Sequence, residues 1–135
     1  MIRAGASRAS TPAVYPTRTV YVVDDDHRRR AELVELLRAS GLLLVGQSGD
    51  GDEAIERMSL LQPNLCLVAV TLRSSEVLSL IRKLRYLCPN TVVFATASHS
   101  EAARALEALG AGAAEVLLHP FGRRSLATSI ARHLP

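Results

Sequence analysis

The chain has 135 residues, of which 48% are hydrophobic and 21% charged, a combination that excludes a disordered chain and favours one globular domain with an aliphatic core. No apolar run approaches the roughly 18 residues of a membrane-spanning helix, and no secretory signal is recognisable, so we expect a cytoplasmic protein without membrane contacts. Residues 1–20 contain Arg3, Arg8 and Arg18 and no acid, which accounts for the whole net charge of +3, so we expect no nucleic-acid contact by the neutral remainder.

The N-terminal residues differ in composition from the rest of the chain. Residues 1–18 are rich in Ala, Ser, Arg, Thr and Pro without periodicity, which predicts a mobile tail before a domain over residues 19–135. An Arg-rich and acid-poor start is also typical of an organelle transit peptide, but the amphipathic helix of such peptides is not evident here.

Strands and helices are predicted to alternate after the tail. The β-branched and aromatic run 19–23 predicts the first strand, and Asp26 and Gly41 are placed to cap and to end the helix that follows. Apolar runs predict four further strands, over residues 42–47, 65–70, 91–96 and 115–118. A helix is predicted after each of these strands. The second helix has apolar residues at helical spacing at Ala54, Met58 and Leu61, and the third, from Ser75, has them at Val77, Ile81 and Leu84. The fourth is predicted between Ser98 or Ser100 and Gly110, and the fifth has apolar residues at Leu126, Ile130 and Leu134.

Five β-α units in series predict an α/β fold, (βα)5, with a doubly wound, five-stranded parallel sheet between two layers of helices. The predicted strands are apolar on both faces, as burial under helices on both sides requires. Cys66 lies within the third strand and is predicted to be a buried, inert thiol. Ligands of such sheets bind at the carboxyl ends of the strands, so the residues that follow the strands are the candidate functional residues.

Polar residues gather at that edge of the predicted sheet. The aspartates 24–26 follow the first strand, Thr96 ends the fourth, and His119 follows the fifth, whereas the third strand runs into Ala69. With these positions the sequence resembles the receiver domain of bacterial two-component response regulators, a CheY-like or flavodoxin-like fold with strand order 2-1-3-4-5. The resemblance covers residues 19 to about 134 and rests on five segments in order: "VVDDD", "GDGDEAIE", "PNLCLVAV", "FATA" and "LGAGAAEVLLHPF".

The resemblance implies roles for the residues at the strand ends. In the family, two acids after the first strand hold Mg²⁺, an aspartate at the end of the third strand is phosphorylated, and a hydroxyl and a lysine contact the phosphoryl group. Asp24 and Asp25 match the metal pair, and Thr96 matches the hydroxyl. The resemblance also implies a cis peptide bond between His119 and Pro120, whereas the sequence alone supplies an X-Pro bond.

Two positions depart from the family pattern. Ala69 falls on the phosphorylated aspartate and His119 on the lysine, and the chain contains no aspartate after Asp52. An alanine methyl neither attacks a phosphoryl donor nor binds Mg²⁺, which prefers carboxylate and other oxygen ligands. We therefore predict a degenerate phosphorylation pocket with no aspartyl phosphate, Mg²⁺ binding that is weak or lost, and no other cofactor.

The pocket residues also have simpler interpretations. The aspartates 24–26 either cap a helix, retain a metal, or pair with His119 or an arginine, because three carboxylates without a cation repel one another. His119 is either a protonated partner that makes the site pH-sensitive or a neutral ring with one hydrogen bond. Thr96 is either a contact for a ligand or a β-branched strand residue. The basic runs 28–30 and 82–86 are predicted to be solvated helix surfaces.

The fourth helix is unusually rich in alanine, which favours either close packing of a partner or simply helix formation. Receivers commonly dimerise or bind partners through the fourth helix, fifth strand and fifth helix. By this resemblance the predicted interaction surface comprises Ala102, Ala105, Leu106, Val116, Arg123 and Arg124.

Two classes of function are therefore expected. The first is a pseudo-receiver that is not an enzyme and acts through a protein partner or as a homodimer, alone or as the input domain of a regulator, such as a transcriptional regulator, with an output domain beyond Pro135. The alternative is a sensor of a small ligand, a metal or pH. Its site would be the vacated pocket, which consists of Asp24, Asp25, Ala69, Thr96 and His119.

Overall fold

The computed structural model describes residues 17–72 and 76–134, in which five strands alternate with five helices. The strands are β1 (Thr19–Val23), β2 (Leu43–Ser48), β3 (Leu65–Ala69), β4 (Val92–Ala97) and β5 (Glu115–Leu118). The helices are α1 (His27–Ala39), α2 (Gly51–Leu61), α3 (Val77–Leu87), α4 (Ala102–Ala111), preceded by a 3₁₀ turn (His99–Glu101), and α5 (Arg123–His133). The predicted tail up to residue 16 and the predicted helix start at Ser75 lie outside the described residues. None of the helices described is long and apolar enough to cross a membrane.

The five strands form one parallel sheet in the order β2-β1-β3-β4-β5. This order confirms the predicted α/β class and the doubly wound arrangement. Since all strands run in the same direction, their carboxyl ends meet along one edge of the sheet. The residues that follow β1, β3, β4 and β5 are thereby brought together.

Helices cover both faces of the sheet. On one face, Leu37 of α1 and Leu126 of α5 belong to the same buried cluster as Val22 of β1. On the other face, α2, α3 and α4 cover the sheet, and Met58 of α2 shares a cluster with Val23. Val22 and Val23 are neighbours that serve opposite cores, because side chains alternate along a strand.

Two strands begin one residue later than the sequence predicts. The amide of Leu42 donates to the Leu37 carbonyl oxygen at 3.1 Å, and the amide of Thr91 donates to the Cys88 carbonyl oxygen at 3.0 Å. The Leu42 amide therefore completes the end of α1, and the Thr91 amide closes a turn that follows α3, so β2 and β4 start at the next residue.

The sequence predicts both ends of α1 correctly but not the end of α4. The Asp26 side chain accepts a hydrogen bond from a first-turn amide of α1, and Gly41 follows that helix with φ of +82°. The prediction that Gly110 ends α4 is wrong. That helix continues to Ala111, and Gly112, with φ of +121°, takes the conformation that leaves the helix.

The thiol of Cys66 is fully buried in β3, as predicted. Burial is the main cause that raises the pKa of this thiol, and the nearby Cys88 adds to the effect. Burial also raises the pKa of Cys88. Both thiols therefore stay protonated and unreactive at neutral pH.

Tyr21 fills the space beside the edge strand β2 and depends on a glycine there. Its ring is fully buried, and its hydroxyl shares a hydrogen bond of 2.9 Å with Ser48 Oγ. The Arg57 guanidinium lies 5.6 Å from the ring centroid. A Cβ atom at Gly46 would approach Tyr21 Cε2 to 2.5 Å and Cδ2 to 2.9 Å. Gly46 is therefore the residue that lets the ring lie flat on β2.

We predict that Gly46→Ala lowers the free energy of unfolding by about 1–3 kcal/mol. The Tyr21 ring, whose hydroxyl is hydrogen-bonded to Ser48, would have to move away from the added methyl group. Gly110→Ala is the matched control, because nothing lies within 4 Å of an added Cβ at this helical position. This control is expected to raise stability by about 0.5–1 kcal/mol. Urea unfolding of both variants gives the comparison. Equal effects of the two substitutions would contradict the role of Gly46.

Candidate functional site

The candidate site lies at the carboxyl ends of the strands, where the sequence places it. Asp24 follows β1, and its amide donates to the Ser48 carbonyl oxygen at 3.0 Å. Ala69 of β3 and Thr96 of β4 are direct neighbours across the two strands. The amide of His119 donates to the Ala97 carbonyl oxygen at 2.7 Å, which holds the start of the next loop against β4.

An arginine of α1 holds the buried carboxylate of Asp24. Arg29 Nε donates to Asp24 Oδ2 at 2.7 Å, and Arg29 Nη2 donates to Asp24 Oδ1 at 2.8 Å. This two-point contact is the geometry in which a guanidinium binds a carboxylate most strongly. Asp24 is only 1% exposed, whereas the Arg29 side chain is 29% exposed. The guanidinium is therefore the counterion that makes burial of this carboxylate tolerable.

The same guanidinium reaches the loop after β3. Arg29 Nη2 also donates to Thr71 Oγ1 at 3.0 Å, so one side chain connects the ends of β1 and β3. The hydrogen bond to Asp24 is the main cause that raises the pKa of Arg29, which keeps it charged. A permanent positive charge, fixed to the protein, thus lies beside Asp24.

The other two aspartates have different environments. Asp26 is exposed, and its Oδ1 accepts from the Arg29 amide at 2.8 Å, so it caps α1. This hydrogen bond is the main cause that lowers the pKa of Asp26. Asp25 is half-buried beside them. Capping and pairing with an arginine, two of the three interpretations of the aspartate run, therefore both occur, at different residues.

The basic run at the start of α1 is not uniformly solvated, which corrects the prediction from sequence. Arg28 is exposed. Arg30 Nη1 donates to the Asp24 carbonyl oxygen at 2.7 Å, and Arg30 Nε donates to Gln47 Oε1 at 3.1 Å. With Arg29, two of three consecutive arginines thus bind the end of β1, which offsets the unfavourable position of cations at a helix N-terminus.

Thr96 and His119 each present a buried polar atom to the site. Thr96 Oγ1 and His119 Nε2 have no hydrogen-bond partner among the residues that the structure describes. Burial is the main cause that lowers the pKa of His119, and the charge of Arg29 lowers it further. The ring of His119 lies 5.2 Å from that of Phe121, and the His119–Pro120 peptide bond is cis. The neutral imidazole is therefore the form that the site favours, and an arginine rather than His119 compensates Asp24.

The residues of the site do not fit Mg²⁺. Both carboxylate oxygens of Asp24 already accept from Arg29, and the side chain of Ala69 supplies no oxygen ligand. The described part of the chain contains no group of three His, Cys, Asp or Glu side chains that could hold a metal ion. The guanidinium charge would also repel a divalent cation at this position.

The residues of the predicted interaction surface differ in exposure. Ala102, Arg123 and Arg124 are exposed, Leu106 is 69% exposed, and Val116 is half-buried. The sixth residue is corrected by the structure. Ala105 is 5% exposed because it is on the side of α4 that packs against the sheet. It belongs to the core and not to the surface.

Sequence reasoning did not single out Arg29 and Thr71 as site residues. The signal that was available is a run of three arginines in the first helical turn, directly after three aspartates. Successive residues on a helix point about 100° apart, so the three side chains could not all be aimed at the Asp24 carboxylate. Which one this would be depends on the angle between α1 and β1, which the sequence does not state.

The chain is similar to known proteins over most of its length. A model of the response regulator receiver domain matches residues 20–131. The chain is 26% identical to the chemotaxis protein CheY of Thermotoga maritima over 102 residues, which cover 76% of this chain and 85% of that protein. It is 30% identical to the transcriptional regulatory protein PdtaR of Mycobacterium tuberculosis over 115 residues, 84% of this chain and 55% of that protein. The chain thus spans about half the length of this second relative.

A solved structure shares the fold. The receiver domain of NtrX from Brucella abortus superimposes with a TM-score of 0.76 over 85% of this chain and 97% of that one, at 24% sequence identity. Identity at this level supports the architecture and carries no argument about activity.

We predict that Arg29→Ala lowers the free energy of unfolding by about 2–3 kcal/mol, because it leaves the buried Asp24 carboxylate without its counterion. The partial exposure of Arg29 keeps the loss below that of a fully buried pair. Arg28→Ala is the matched control from the same helical turn and is expected to change stability by less than about 0.5 kcal/mol. Urea unfolding at neutral pH measures both. A loss of the same size in the control would show that the effect comes from the helix and not from Asp24.

We also predict that the ring of His119 titrates below the ordinary histidine pKa of 6.5. Because its folded-state pKa lies below the unfolded value, its contribution to stability is complete above about pH 6.5 and is lost as the pH falls through the folded-state pKa. An NMR titration of the ring signals measures the pKa directly. His119→Gln should lose less stability than the parent between about pH 7.5 and about pH 5.5. A midpoint above 6.5 would instead indicate a paired, charged imidazole.

Proposed function

Because the chain belongs to the response regulator receiver domain family, we propose that it is a pseudo-receiver, which passes on signals through protein contacts without phosphorylation of an aspartate. One observation carries this proposal. The Arg29 guanidinium binds both oxygens of Asp24, at the position where receivers hold a metal ion.

The chemistry of the pocket supports the same conclusion. Phosphoryl transfer to a receiver requires a carboxylate nucleophile, and the methyl group of Ala69 has no lone pair to attack with. The transfer also requires a cation that neutralises the developing charge on the phosphoryl oxygens. Arg29 supplies a positive charge here, but its donors are directed to Asp24 and Thr71. The pocket therefore resembles a receiver pocket in which the guanidinium of Arg29 is a permanently attached cation.

The partner is proposed to bind the surface of α4, β5 and α5. Leu106 and Leu118 are exposed large apolar side chains on this surface, at 69% and 37%. Glu115 of β5 binds two residues of α5, with Arg132 Nη1 at 2.7 Å and His133 Nε2 at 2.8 Å from its carboxylate oxygens. These contacts hold β5 and α5 as one unit. The proposed partner on this surface is a second copy of the chain or another protein, including an output domain of a longer chain. Binding is proposed to take place in the cytoplasm.

A sensor of a small ligand is the second candidate function. A cleft of about 230 Å³ opens between α1 and the loop after β5, lined by residues that include Arg29, His119 and Phe121. The unpartnered polar atoms of Thr96 and His119 favour a polar ligand, since a hydroxyl and a neutral imidazole each donate or accept hydrogen bonds. A small anion would meet the charge of Arg29, although the carboxylate of Glu32 lines the same cleft. NMR shifts at Thr96 and His119 on addition of inorganic phosphate without Mg²⁺ would favour this candidate over the pseudo-receiver.

We predict that the full chain keeps its intact mass during incubation with acetyl phosphate and Mg²⁺, because no carboxylate stands at position 69. Ala69→Asp alone is expected to react poorly, since Arg29 still holds Asp24 away from Mg²⁺. The double variant Ala69→Asp with Arg29→Ala is expected to gain the mass of one phosphoryl group. Mass spectrometry of intact protein measures all three, and a receiver that retains its aspartate serves as the positive control.

Two outcomes would reject the proposal. One is a phosphoryl group on an aspartate of the parent chain. The other is an NMR response to Mg²⁺ and beryllofluoride that spreads from Asp24 through Thr96 to α4, because this would indicate a working ligand switch. If Ala69→Asp alone reacts as fast as the double variant, Ala69 alone blocks phosphorylation and Arg29 does not contribute.

A further inference from the structure

Large apolar side chains are exposed at the ends of two neighbouring helices. Leu60 and Leu61 at the end of α2 are 84% and 44% exposed, and Tyr86 and Leu87 at the end of α3 are 84% and 40% exposed. They make up half of the eight large apolar residues that are exposed in the described parts of the chain. Single exposed apolar residues are ordinary, but a group of four on adjacent helices is typical of a binding surface.

Hydrogen bonds hold these two helix ends together. Gln62 Nε2 donates to the Ser59 carbonyl oxygen of α2 at 3.0 Å and to the Leu87 carbonyl oxygen of α3 at 3.2 Å. Cys88 Sγ donates to the Met58 carbonyl oxygen at 3.6 Å. The four apolar side chains therefore belong to one end of the molecule and keep a fixed relation to one another.

The most exposed pair points away from the core. Leu60 and Tyr86 each follow a fully buried residue by two positions, Met58 in α2 and Leu84 in α3. Two residues correspond to about 200° around a helix, so both side chains stand on the side opposite the sheet. Because α2 and α3 cover the same face of the sheet, both side chains project to the same side of the molecule.

Positive charge borders this apolar group. Arg82 and Lys83 of α3 are exposed and lie four positions before Tyr86 and Leu87, so each cation neighbours one of these side chains on the helix surface. Within residues 17–72 and 76–134, no carboxylate forms an ion pair with Arg82 or Lys83. Water stabilises the two exposed cations without a protein partner, but it does not stabilise the four large apolar side chains beside them.

We infer that this surface, which consists of Leu60, Leu61, Arg82, Lys83, Tyr86 and Leu87 and is called the α2–α3 end, docks an acidic segment of a protein partner with large apolar side chains. Carboxylates of the partner would pair with the two cations, and its apolar side chains would cover Leu60 and Tyr86. Another copy of this chain would bring the same positive charges against them. Nucleic acid would neutralise the two cations but would leave Leu60 and Leu61 without apolar partners.

The α2–α3 end lies far from the site at Asp24. Helices between parallel strands run opposite to the strands, so the carboxyl ends of α2 and α3 are at the amino ends of the strands. The site at Asp24 is at the other edge of the sheet. Docking at the α2–α3 end therefore does not rest on the proposed function.

A random peptide library displayed on phage and selected against the full chain tests the inference. Enriched peptides are expected to combine Asp or Glu with Leu, Phe or Trp. A synthetic peptide with the enriched sequence is expected to shift the amide NMR signals of the ends of α2 and α3. Leu60→Ser with Tyr86→Ser should weaken its binding at least about tenfold, as expected for two apolar anchors. Arg82→Glu with Lys83→Glu should weaken it similarly, because both cations become repulsive.

Matched controls separate docking from folding. The four substituted side chains are exposed, so circular dichroism and thermal unfolding of these variants should match the parent. Leu43→Ser replaces another exposed leucine, 51% exposed and outside the surface, and should leave peptide binding unchanged.

Four results would overturn the inference. They are a selection without enrichment, enriched peptides without acidic residues, equal binding by the parent and the Leu60/Tyr86 double variant, and shifts confined to α4, β5 and α5. Two further measurements test other occupants. Concentration-dependent dimerisation in sedimentation that the double variant abolishes would assign the surface to a second copy. Binding of a mixed-sequence RNA oligonucleotide that the Arg82/Lys83 variant abolishes would assign it to nucleic acid.

Discussion

A buried carboxylate requires a positive partner, and Arg29 supplies it to Asp24 from the first turn of the following helix. This contact ties the end of β1 to α1, and through Thr71 to the loop after β3. Arg30 adds a second link through the Asp24 carbonyl oxygen. The edge of the sheet where receivers place their reactive groups is therefore held together by hydrogen bonds from Arg29 and Arg30.

The fold was predictable because its signals are local. The cap at Asp26 and the end of α1 at Gly41 depend on neighbouring residues, and five apolar runs separated by helical spacing leave few arrangements other than a parallel sheet. Errors occurred where the sequence offers two equivalent signals. Gly110 and Gly112 both suit the end of α4, and only the second adopts a positive φ, because the helix continues to pack for one more residue.

The site was predictable in its residues but not in its contacts. The strand ends bring Ala69 and Thr96 together, as their spacing in the sequence implies. The choice of Arg29 over Arg28 depends on how α1 packs on the sheet, which is a tertiary property. Ala105 illustrates the same limit. In a helix with alanine on every side, composition does not distinguish the buried face from the exposed face, so this residue was assigned to the wrong side.

The attached cation changes how such a domain could be controlled. A ligand shifts a conformational equilibrium only as far as it binds one state better than the other, and its occupancy depends on its concentration. Arg29 is part of the chain, so its contact with Asp24 depends neither on metal concentration nor on a phosphoryl donor. Under the proposed function, control enters through surfaces. Within residues 17–72 and 76–134, large apolar side chains are exposed in groups around Leu106 and around Tyr86. Since these groups lie on different helices, the partners proposed for them would not compete for the same residues.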